Sequence, residues 1–435
     1  MHSTEADLRL KRATAALRPQ SIRRARPLAV LVTLLLAGAQ AARAQTETIL
    51  YRFQGPDGAN PGGYYTPVLD KQGNLYGTTI SGGAYNLGTV WKLTPSGTET
   101  VLWSFGNGTD GSVPVGVVPD GSGNLYGTTN TGGTYNLGTA FEVTPSGTET
   151  VLWNFGNGTD GSYPVAEPVL DRQGNVYATT AEGGTSNKGT LVKIAPSGTE
   201  TVLWNFAQNT EAAPRGFMLA GNGNFYGTTY GWFDGAGADP SPVHAPEGNG
   251  YYGTVWELTP SGTETVLWRF DPIHRWGQHL DGGLPTANVV MDENGILFGT
   301  THWGGDYEDG TAFALPTAGN NTARAGRDKV IHTFHRYDGP YSNTLLYNGD
   351  LYSTTYTDSP QRHGGTVWKM TESGKQTILH RFAHNNRQGD GFGPATGVVV
   401  DGNGNVYGTT QWGGGTACQA GGEIWGCGTI YKVTP

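Results

Sequence analysis

Side chains that could bind or react with a ligand are concentrated in the second half of this chain. Nine of its ten histidines follow residue 240, where they alternate with tryptophan, tyrosine, arginine and acidic residues. Flat aromatic rings stack on sugar rings, and polar groups between them supply hydrogen bonds, so this composition favours a carbohydrate-binding groove. The residues that we assign to ligand binding are Trp232, Trp276, His279, Trp303, Tyr307 and Trp412.

Acid–base chemistry is an alternative use of the same region. His302 lies between Tyr230 and Tyr356 in a set of residues that each follow a repeated Thr-Thr pair, and a histidine or tyrosine there could abstract a proton. Arg336 could then neutralise the carboxylate of a uronate, which is the chemistry of a polysaccharide lyase. A glycosidase is disfavoured because no pair of carboxylates stands out. No nucleophile motif, phosphate-binding loop or metal-ligand spacing is present, so we predict no metal and no other cofactor.

A seven-residue phrase organises the chain that must position these groups. Gly-Asn-Leu-Tyr-Gly-Thr-Thr at residues 123–129 recurs with few changes in seven places. The copies occupy residues 73–79, 123–129, 174–180, 223–229, 295–301, 349–355 and 404–410. Their aromatic positions are 49 to 72 residues apart, a period typical of propeller blades or solenoid turns.

Each repeat divides into four runs with the composition of β-strands. In the second unit the runs are residues 113–118, 124–129, 138–144 and 148–155, separated by clusters of Gly, Asn, Asp, Pro and Ser that favour tight turns. Four antiparallel strands in each of seven units predict an all-β fold, a single seven-bladed β-propeller over residues 45–435.

The two ends of the repeat region predict how the ring closes. The fourth run appears first at residues 46–53, before any complete unit, whereas the chain finishes on a third run at residues 428–434. Pairing these two runs completes the last blade and removes two exposed strand edges. We therefore expect the N-terminal strand to join the C-terminal blade.

Residues 1–44 differ from the rest of the chain. An arginine-rich lead precedes an apolar run at residues 28–39 and the sequence Ala42-Arg43-Ala44, a pattern typical of an export signal. The run is shorter than the roughly 20 residues that cross a bilayer, so we expect no integral membrane segment after cleavage. Residues 45–435 carry 19 basic and 34 acidic side chains, a net charge of −15 that disfavours nucleic acid as a partner. We predict a periplasmic or extracellular monomer.

The two cysteines lie close together in the last unit. Cys418 and Cys427 fit a local disulfide, which an exported protein can form. A two-cysteine metal site or a redox pair is an alternative, although the spacing is not Cys-x-x-Cys and no histidine is near.

The complete units resemble a known family of repeats. The phrase at 123–129, the Gly-Gly loop after it, Gly-Thr-Val-Trp-Lys-Leu-Thr-Pro at 88–95 and Thr-Glu-Thr-Val-Leu-Trp-Ser-Phe at 98–105 are similar to the GloVer repeat of exported bacterial proteins. The resemblance extends over residues 46–435 and implies a β-propeller outside the cytoplasm, without an agreed biochemical activity. The cysteine pair also resembles a recurring variant of that repeat.

The loops between the second and third strands, together with the connections between blades, should lie on one rim. These segments vary most in sequence, so we expect function there. The primary hypothesis is a binding module for a carbohydrate or cell-envelope ligand. A polysaccharide lyase is the alternative, and a structural envelope scaffold is a further one. Trp103 and Trp153 repeat with the core pattern and are interpreted as blade packing, and residues 107–111 as an Asx turn rather than a calcium loop.

Overall fold

The described part of the repeat region contains β-strands as its regular elements. A computed structural model describes residues 45–63, 65–207, 213–231, 252–270, 281–317, 330–335, 339–356, 364–383, 390–415, 418–420 and 423–435. Within these ranges every regular element is a β-strand, and no helix is long and apolar enough to cross a membrane. The predicted export segment, residues 1–44, lies outside the described residues.

Seven antiparallel sheets form the blades of a β-propeller, with the strands of each given from the axis outwards. Blade 1 consists of Val68–Leu69, Leu75–Thr79, Thr89–Leu93 and Glu99–Ser104. Blade 2 consists of Ser112–Pro119, Leu125–Thr131, Thr139–Val143 and Glu149–Asn154. In blade 3 the first strand is split into Ser162–Pro164 and Val169–Leu170, followed by Val176–Glu182, Thr190–Ile194 and Glu200–Asn205.

The remaining four blades repeat the same order. Blade 4 consists of Pro214–Leu219, Phe225–Thr229, Thr254–Leu258 and Glu264–Arg269. Blade 5 consists of Val290–Met291, Ile296–Thr301, Thr311–Pro316 and Val330–Thr333. Blade 6 consists of Leu345–Tyr347, Asp350–Thr355, Thr366–Thr371 and Gln376–Arg381. Blade 7 consists of Val399–Val400, Val406–Thr410, Thr429–Thr434 and Thr46–Arg52.

The N-terminal strand closes the ring, as the sequence predicts. Thr46–Arg52 pairs antiparallel with Thr429–Thr434, from Thr46 opposite Thr434 to Arg52 opposite Thr429. Two short two-stranded sheets accompany this blade: Gly391–Phe392 pairs with Trp412–Gly413, and Gln419–Ala420 pairs with Glu423–Ile424. The closure satisfies the outer edge of the last blade with backbone hydrogen bonds.

Aromatic contacts join each blade to the next. A phenylalanine after the outer strand of one blade packs against the large residue of the third strand in the following blade. The six aromatic pairs are Phe53 with Trp91, Phe105 with Phe141, Phe206 with Trp256, Phe270 with Phe313, Phe334 with Trp368, and Phe382 with Tyr431, with centroids 5.0 to 5.9 Å apart. Between blades 2 and 3, Phe155 packs in the same cluster as Val192. The core is therefore distributed between the blades.

The glycine of the repeated phrase makes room for this large residue. A Cβ at Gly299 would overlap the ring of Phe313, which lies opposite it in the sheet. Blade 3 has Ala178 opposite the smaller Val192. The glycine and the aromatic ring thus form a size-matched pair.

A double-mutant cycle tests this pairing. Gly299→Ala should lower the free energy of unfolding by about 1–3 kcal/mol because the methyl group overlaps Phe313. Adding Phe313→Val copies the blade 3 arrangement, so the double variant should lose less stability than the sum of the single variants. Chemical denaturation measures all four proteins, and strictly additive losses would contradict the pairing.

Candidate functional site

The loops and blade connections meet on one rim of the propeller, which we call the long-loop rim. Connections pair with the segment after the second strand at Ala59 with Ser81, Gly283 with Trp303, and Gly391 with Gly413, and Pro340 pairs with Thr355 at the end of the second strand of blade 6. This rim is where the sequence places the candidate site residues.

Several of the side chains that follow the Thr-Thr pairs contact the next blade at this rim. The Nδ2 of Asn130 in blade 2 donates to the carbonyl of Pro164 in blade 3 at 2.9 Å. In the same way, the ring of His302 lies against Gly339, and the side chain of Tyr356 lies against Gly393. These side chains therefore close the gaps between blades around the mouth of the axial channel.

His302 and Tyr356 belong to one aromatic cluster with a residue that the sequence analysis missed. The ring centroids of His302 and Tyr341 are 3.7 Å apart, and those of Tyr341 and Tyr356 are 5.9 Å apart. Within the described part of the chain, the buried Nδ1 of His302 has no hydrogen-bond partner. Burial lowers the pKa of His302 to about 4, so the imidazole is neutral at physiological pH. A neutral imidazole can accept a proton.

Tyr230 has a cationic neighbour on its own blade. The guanidinium carbon of Arg215 lies 4.8 Å from the centroid of the Tyr230 ring, a cation–π geometry. Arg215 follows the first residue of the inner strand of blade 4, and nothing in its local sequence marks it as a site residue. Arg336, which the sequence suggests for neutralising a uronate carboxylate, lies outside the described residues.

The ligand-binding aromatics have different environments. Trp303 stacks on Tyr252 with centroids 5.2 Å apart and packs against the core between blades 4 and 5. Trp412 packs edge-on against Trp425 at 5.7 Å. Tyr307 is 60% exposed. Trp232, Trp276 and His279 lie outside the described residues.

The predicted disulfide is present and supports the blade 7 rim. Cys418 and Cys427 are bonded, with Cα atoms 5.0 Å apart, and Cys427 is buried. The backbone N–H of Trp425 donates to the carbonyl of Cys418 at 3.2 Å. The disulfide loop therefore holds Trp425 beside Trp412.

A polar plug crosses the axis one layer below the rim. Each of the seven inner segments contributes the residue at one equivalent position. These residues are Thr66, Gly116, Glu167, Gly216, Asn288, Asn343 and Gly397. The backbone N–H of Asn288 donates to Asn343 Oδ1 at 3.0 Å, and Asn343 Nδ2 contacts Thr66 Oγ1 at 3.4 Å. The backbone N–H of Thr66 donates to Glu167 Oε1, which reaches from blade 3 to blade 1.

Glycines provide the space that the plug needs. A Cβ at Gly116 would lie 3.0 Å from Glu167 Cγ, and one at Gly397 would overlap Thr66 Oγ1. Burial raises the pKa of Glu167 to about 8, although hydrogen bonds with Thr66 and Asn343 oppose the shift. Glu167 carries the single ionisable side chain among the seven positions, so aligning the inner segments would have revealed it.

A family model for the Gloeobacter/Verrucomicrobia repeat matches residues 39–238 and 243–435. The chain belongs to this repeat family. The match confirms the resemblance to GloVer repeats, and it spans nearly all of the seven blades described above. No curated protein sequence matches the chain.

Solved structures that are similar to this chain are β-propellers. Virginiamycin B lyase from Staphylococcus aureus is 11% identical with a TM-score of 0.54, over 90% of this chain and 99% of that one. A streptogramin B lyase is 10% identical with a TM-score of 0.55, over 91% of this chain and 99% of that one. PorZ, a surface component of the type-IX secretion system of Porphyromonas gingivalis, is 16% identical with a TM-score of 0.50, over 84% of this chain and 48% of that one. At these identities the likeness shows the fold alone.

The pH dependence of stability tests the plug. The pKa of Glu167 is raised from 4.5 to about 8 on folding, so the native state binds the extra proton and stability falls as pH rises through this interval. Glu167→Gln keeps an oxygen that accepts from Thr66 and removes the ionisation, so this variant should be more stable than the parent by roughly 3 kcal/mol at pH 7. Denaturation midpoints from pH 4 to 9 measure the effect, with the exposed Glu182→Gln in blade 3 as the control. Parallel pH profiles for the parent and Glu167→Gln would contradict the assignment.

Proposed function

We propose that this protein is exported and binds a neutral glycan, from the cell envelope or the surroundings, on its long-loop rim. Exposed tyrosines provide the stacking surface, and Tyr307 on blade 5 is the main one. A disulfide fits an oxidising compartment outside the cytoplasm. The pattern of residues 1–44 supports export independently.

The observation that carries this proposal is the repeated exposure of tyrosine at one loop position. Among the described residues, the exposed large apolar side chains are Tyr85, Leu87, Tyr135 and Tyr307. The three tyrosines are 51%, 46% and 60% exposed and occupy the same place in the second-to-third loops of blades 1, 2 and 5. Tyrosine offers a flat apolar face and a polar hydroxyl, which suits a sugar ring with its hydroxyl groups.

Rigid loops present these rings. Asn86 and Asn136 follow Tyr85 and Tyr135 with φ near +59°, and their side chains accept from the N–H groups of Gly82 at 3.0 Å and Gly132 at 3.3 Å. A ring on a preformed loop loses little conformational entropy when it binds, which favours affinity.

Charge favours a neutral ligand. Residues 45–435 carry a net charge of −15, which repels polyanionic polysaccharides over most of the surface. A neutral glycan avoids this repulsion and depends on stacking and hydrogen bonds.

Blade 5 combines the exposed ring with polar groups. The ring of Tyr307 lies edge-on to His335, with centroids 5.3 Å apart. Tyr307 shares its loop with His302, and the N–H of Gly310 closes that loop on the carbonyl of Gly304 at 2.9 Å. The aromatic platform therefore lies beside the imidazole of His335, on a loop that also carries His302.

Glycan retention tests the proposal. The protein is applied to immobilised neutral polysaccharides, and the dissociation constant for a retained glycan is measured by calorimetry. Tyr307→Ala should weaken binding at least about tenfold, which corresponds to about 1.4 kcal/mol of lost stacking. Thr265→Ala, exposed on the outer strand of blade 4, is the control and should leave affinity unchanged. Tyr135→Ala, at the same loop position in blade 2, should weaken binding less than Tyr307→Ala. Equal losses in the two tyrosine variants would contradict the blade 5 assignment, and retention on no glycan would favour a structural scaffold.

A polysaccharide lyase is the second candidate, and the contact of His302 with Tyr341 favours it. The lowered pKa of His302 keeps the imidazole unprotonated down to about pH 5, but it also makes the imidazole a weaker base. The two similar propellers that are lyases by name support only the fold, and the acidic surface disfavours uronate polymers.

Turnover separates the two candidates. If the protein is a lyase, incubation with acidic polysaccharides should release unsaturated uronate, detected by ultraviolet absorbance, and the rate should persist to about pH 5. His302→Gln should lower that rate at least about a hundredfold, whereas His332→Gln on the outer strand of blade 5 should not. Absence of product from the parent protein would refute the lyase and leave the binding proposal intact.

A further inference from the structure

In the connections that lead into blades 1, 2 and 3, an aspartate side chain bonds to the outer strand of the preceding blade. The donor is the aromatic side chain two residues before the phenylalanine that follows this strand. The acceptor is an aspartate that directly precedes a glycine of the connection. The pairs are Tyr51 with Asp57 at 2.6 Å, Trp103 with Asp110 at 3.0 Å, and Trp153 with Asp160 at 2.9 Å. We call this contact the connection lock.

A glutamate from the outer strand of the next blade faces each of these aspartates. The three glutamates are Glu99, Glu149 and Glu200, near Asp57, Asp110 and Asp160 respectively. Burial, together with the negative charge of the aspartate, raises the pKa of each glutamate to about 7. The connection lock thus brings two carboxylates and one aromatic donor together.

Blade 7 contains a version of the lock with different chemistry. His380 occupies the position of Trp103 and Trp153, Asp390 is the connection aspartate, and Glu47 is the outer-strand glutamate. His380 Nε2 lies 3.8 Å from Asp390 Oδ2, which is too long for a hydrogen bond. The histidine therefore does not replace the tryptophan as a donor.

Three potential ligand atoms in this version of the lock lack hydrogen-bond partners. Within the described residues, His380 Nε2, Glu47 Oε1 and Asp390 Oδ1 are buried and accept or donate no hydrogen bond. One ligand atom from each residue lies within 4.8 Å of the other two. The side chains of His380 and Asp390 are 20% and 11% exposed, so water reaches them poorly.

This donor set suits a transition-metal dication. Zn²⁺ binds imidazole nitrogen and carboxylate oxygen at roughly 2.0–2.2 Å, so two ligand atoms 3.8 Å apart can both contact one ion. A cation would also offset the repulsion between the two buried carboxylates. Ca²⁺ and Mg²⁺ prefer sites made of oxygen alone, so the histidine favours Zn²⁺.

We propose that Glu47, His380 and Asp390 form a Zn²⁺ site that fastens the ring closure. Glu47 lies on Thr46–Arg52, the strand that completes blade 7, whereas His380 lies on the outer strand of blade 6 and Asp390 precedes Gly391 in the connection between these blades. A bound ion therefore joins the N-terminal strand to a neighbouring blade that backbone pairing does not reach. Asp390 adjoins the strand that pairs with Trp412–Gly413, but the ion needs no glycan.

Titration of the metal-free protein with Zn²⁺ tests the site. After treatment with a chelator, calorimetry counts the ions bound per chain, and thermal unfolding reports stabilisation, which binding to the native state produces. His380→Trp should bind one Zn²⁺ fewer per chain. Trp103 and Trp153 already occupy this position in the locks that lead into blades 2 and 3, so this variant should fold. Circular dichroism checks that it does.

Two further variants separate the site from other histidines. Glu47→Gln should weaken Zn²⁺ binding at this site at least about tenfold, because a charged ligand is lost. Glu149→Gln changes the equivalent glutamate of blade 2, where Trp103 fills the lock, and should leave Zn²⁺ binding unchanged. If His380→Trp does not fold, Glu47→Gln compared with Glu149→Gln decides the question.

Hydrogen exchange shows which strands bound Zn²⁺ stabilises. Zn²⁺ should slow exchange in Thr46–Arg52 of the parent protein and leave the outer strand of blade 2, Glu149–Asn154, unchanged. His380→Trp should lose this protection. The proposal is overturned if the parent binds no Zn²⁺, if His380→Trp binds as many ions as the parent, or if Thr46–Arg52 gains no protection.

Discussion

Seven pairs of threonine hydroxyls hold the second and third strands of the blades together at the long-loop rim. The second threonine of each repeated phrase contacts the first threonine of the following strand at 2.7 to 2.9 Å in every blade. All of these residues are buried, and a buried hydroxyl without a partner costs roughly 1–3 kcal/mol. In blade 2, Gly111 of the connection lies directly against this pair, so that a Cβ there would be 2.8 Å from Thr139 Oγ1. Loop, connection and sheet are therefore fixed at one point.

In blades 3, 4, 6 and 7 the first threonine of the phrase extends the same constraint to the next blade. Thr228 Oγ1 donates to the carbonyl of Ala287 at 2.7 Å, and Thr409 Oγ1 donates to the carbonyl of Pro61 at 2.8 Å, so that blade 7 is tied to blade 1. These bonds and the aromatic pairs hold the blades without side chains from the loops beyond the threonines. Their sequences are free to differ, which explains why one half of the rim carries histidine and tryptophan while the other half is regular.

Polar side chains fill the axis below the rim. Glu167, Asn343 and Thr66 are joined across the centre by hydrogen bonds, one layer below His302 and Tyr356. A ligand at the mouth of the channel would meet this polar layer rather than an open passage. The proposed glycan site and the proposed Zn²⁺ site both lie away from this layer, the first on the rim loops and the second at the outer edge of the blades.

The sequence by itself determined the architecture: the repeat count, four strands per unit, the closure by Thr46–Arg52 and the disulfide follow from patterns that recur locally. Local patterns could not reveal which residues converge. Glu167 looks ordinary in blade 3 and becomes distinctive only beside Thr66 and Asn343, and Tyr341 joins His302 only when blades 5 and 6 are neighbours. Glu47 and His380 are separated by most of the chain and meet only because the ring closes. Tertiary structure decided these contacts because a closed ring brings equivalent positions of different repeats together, at distances that spacing along the chain does not encode.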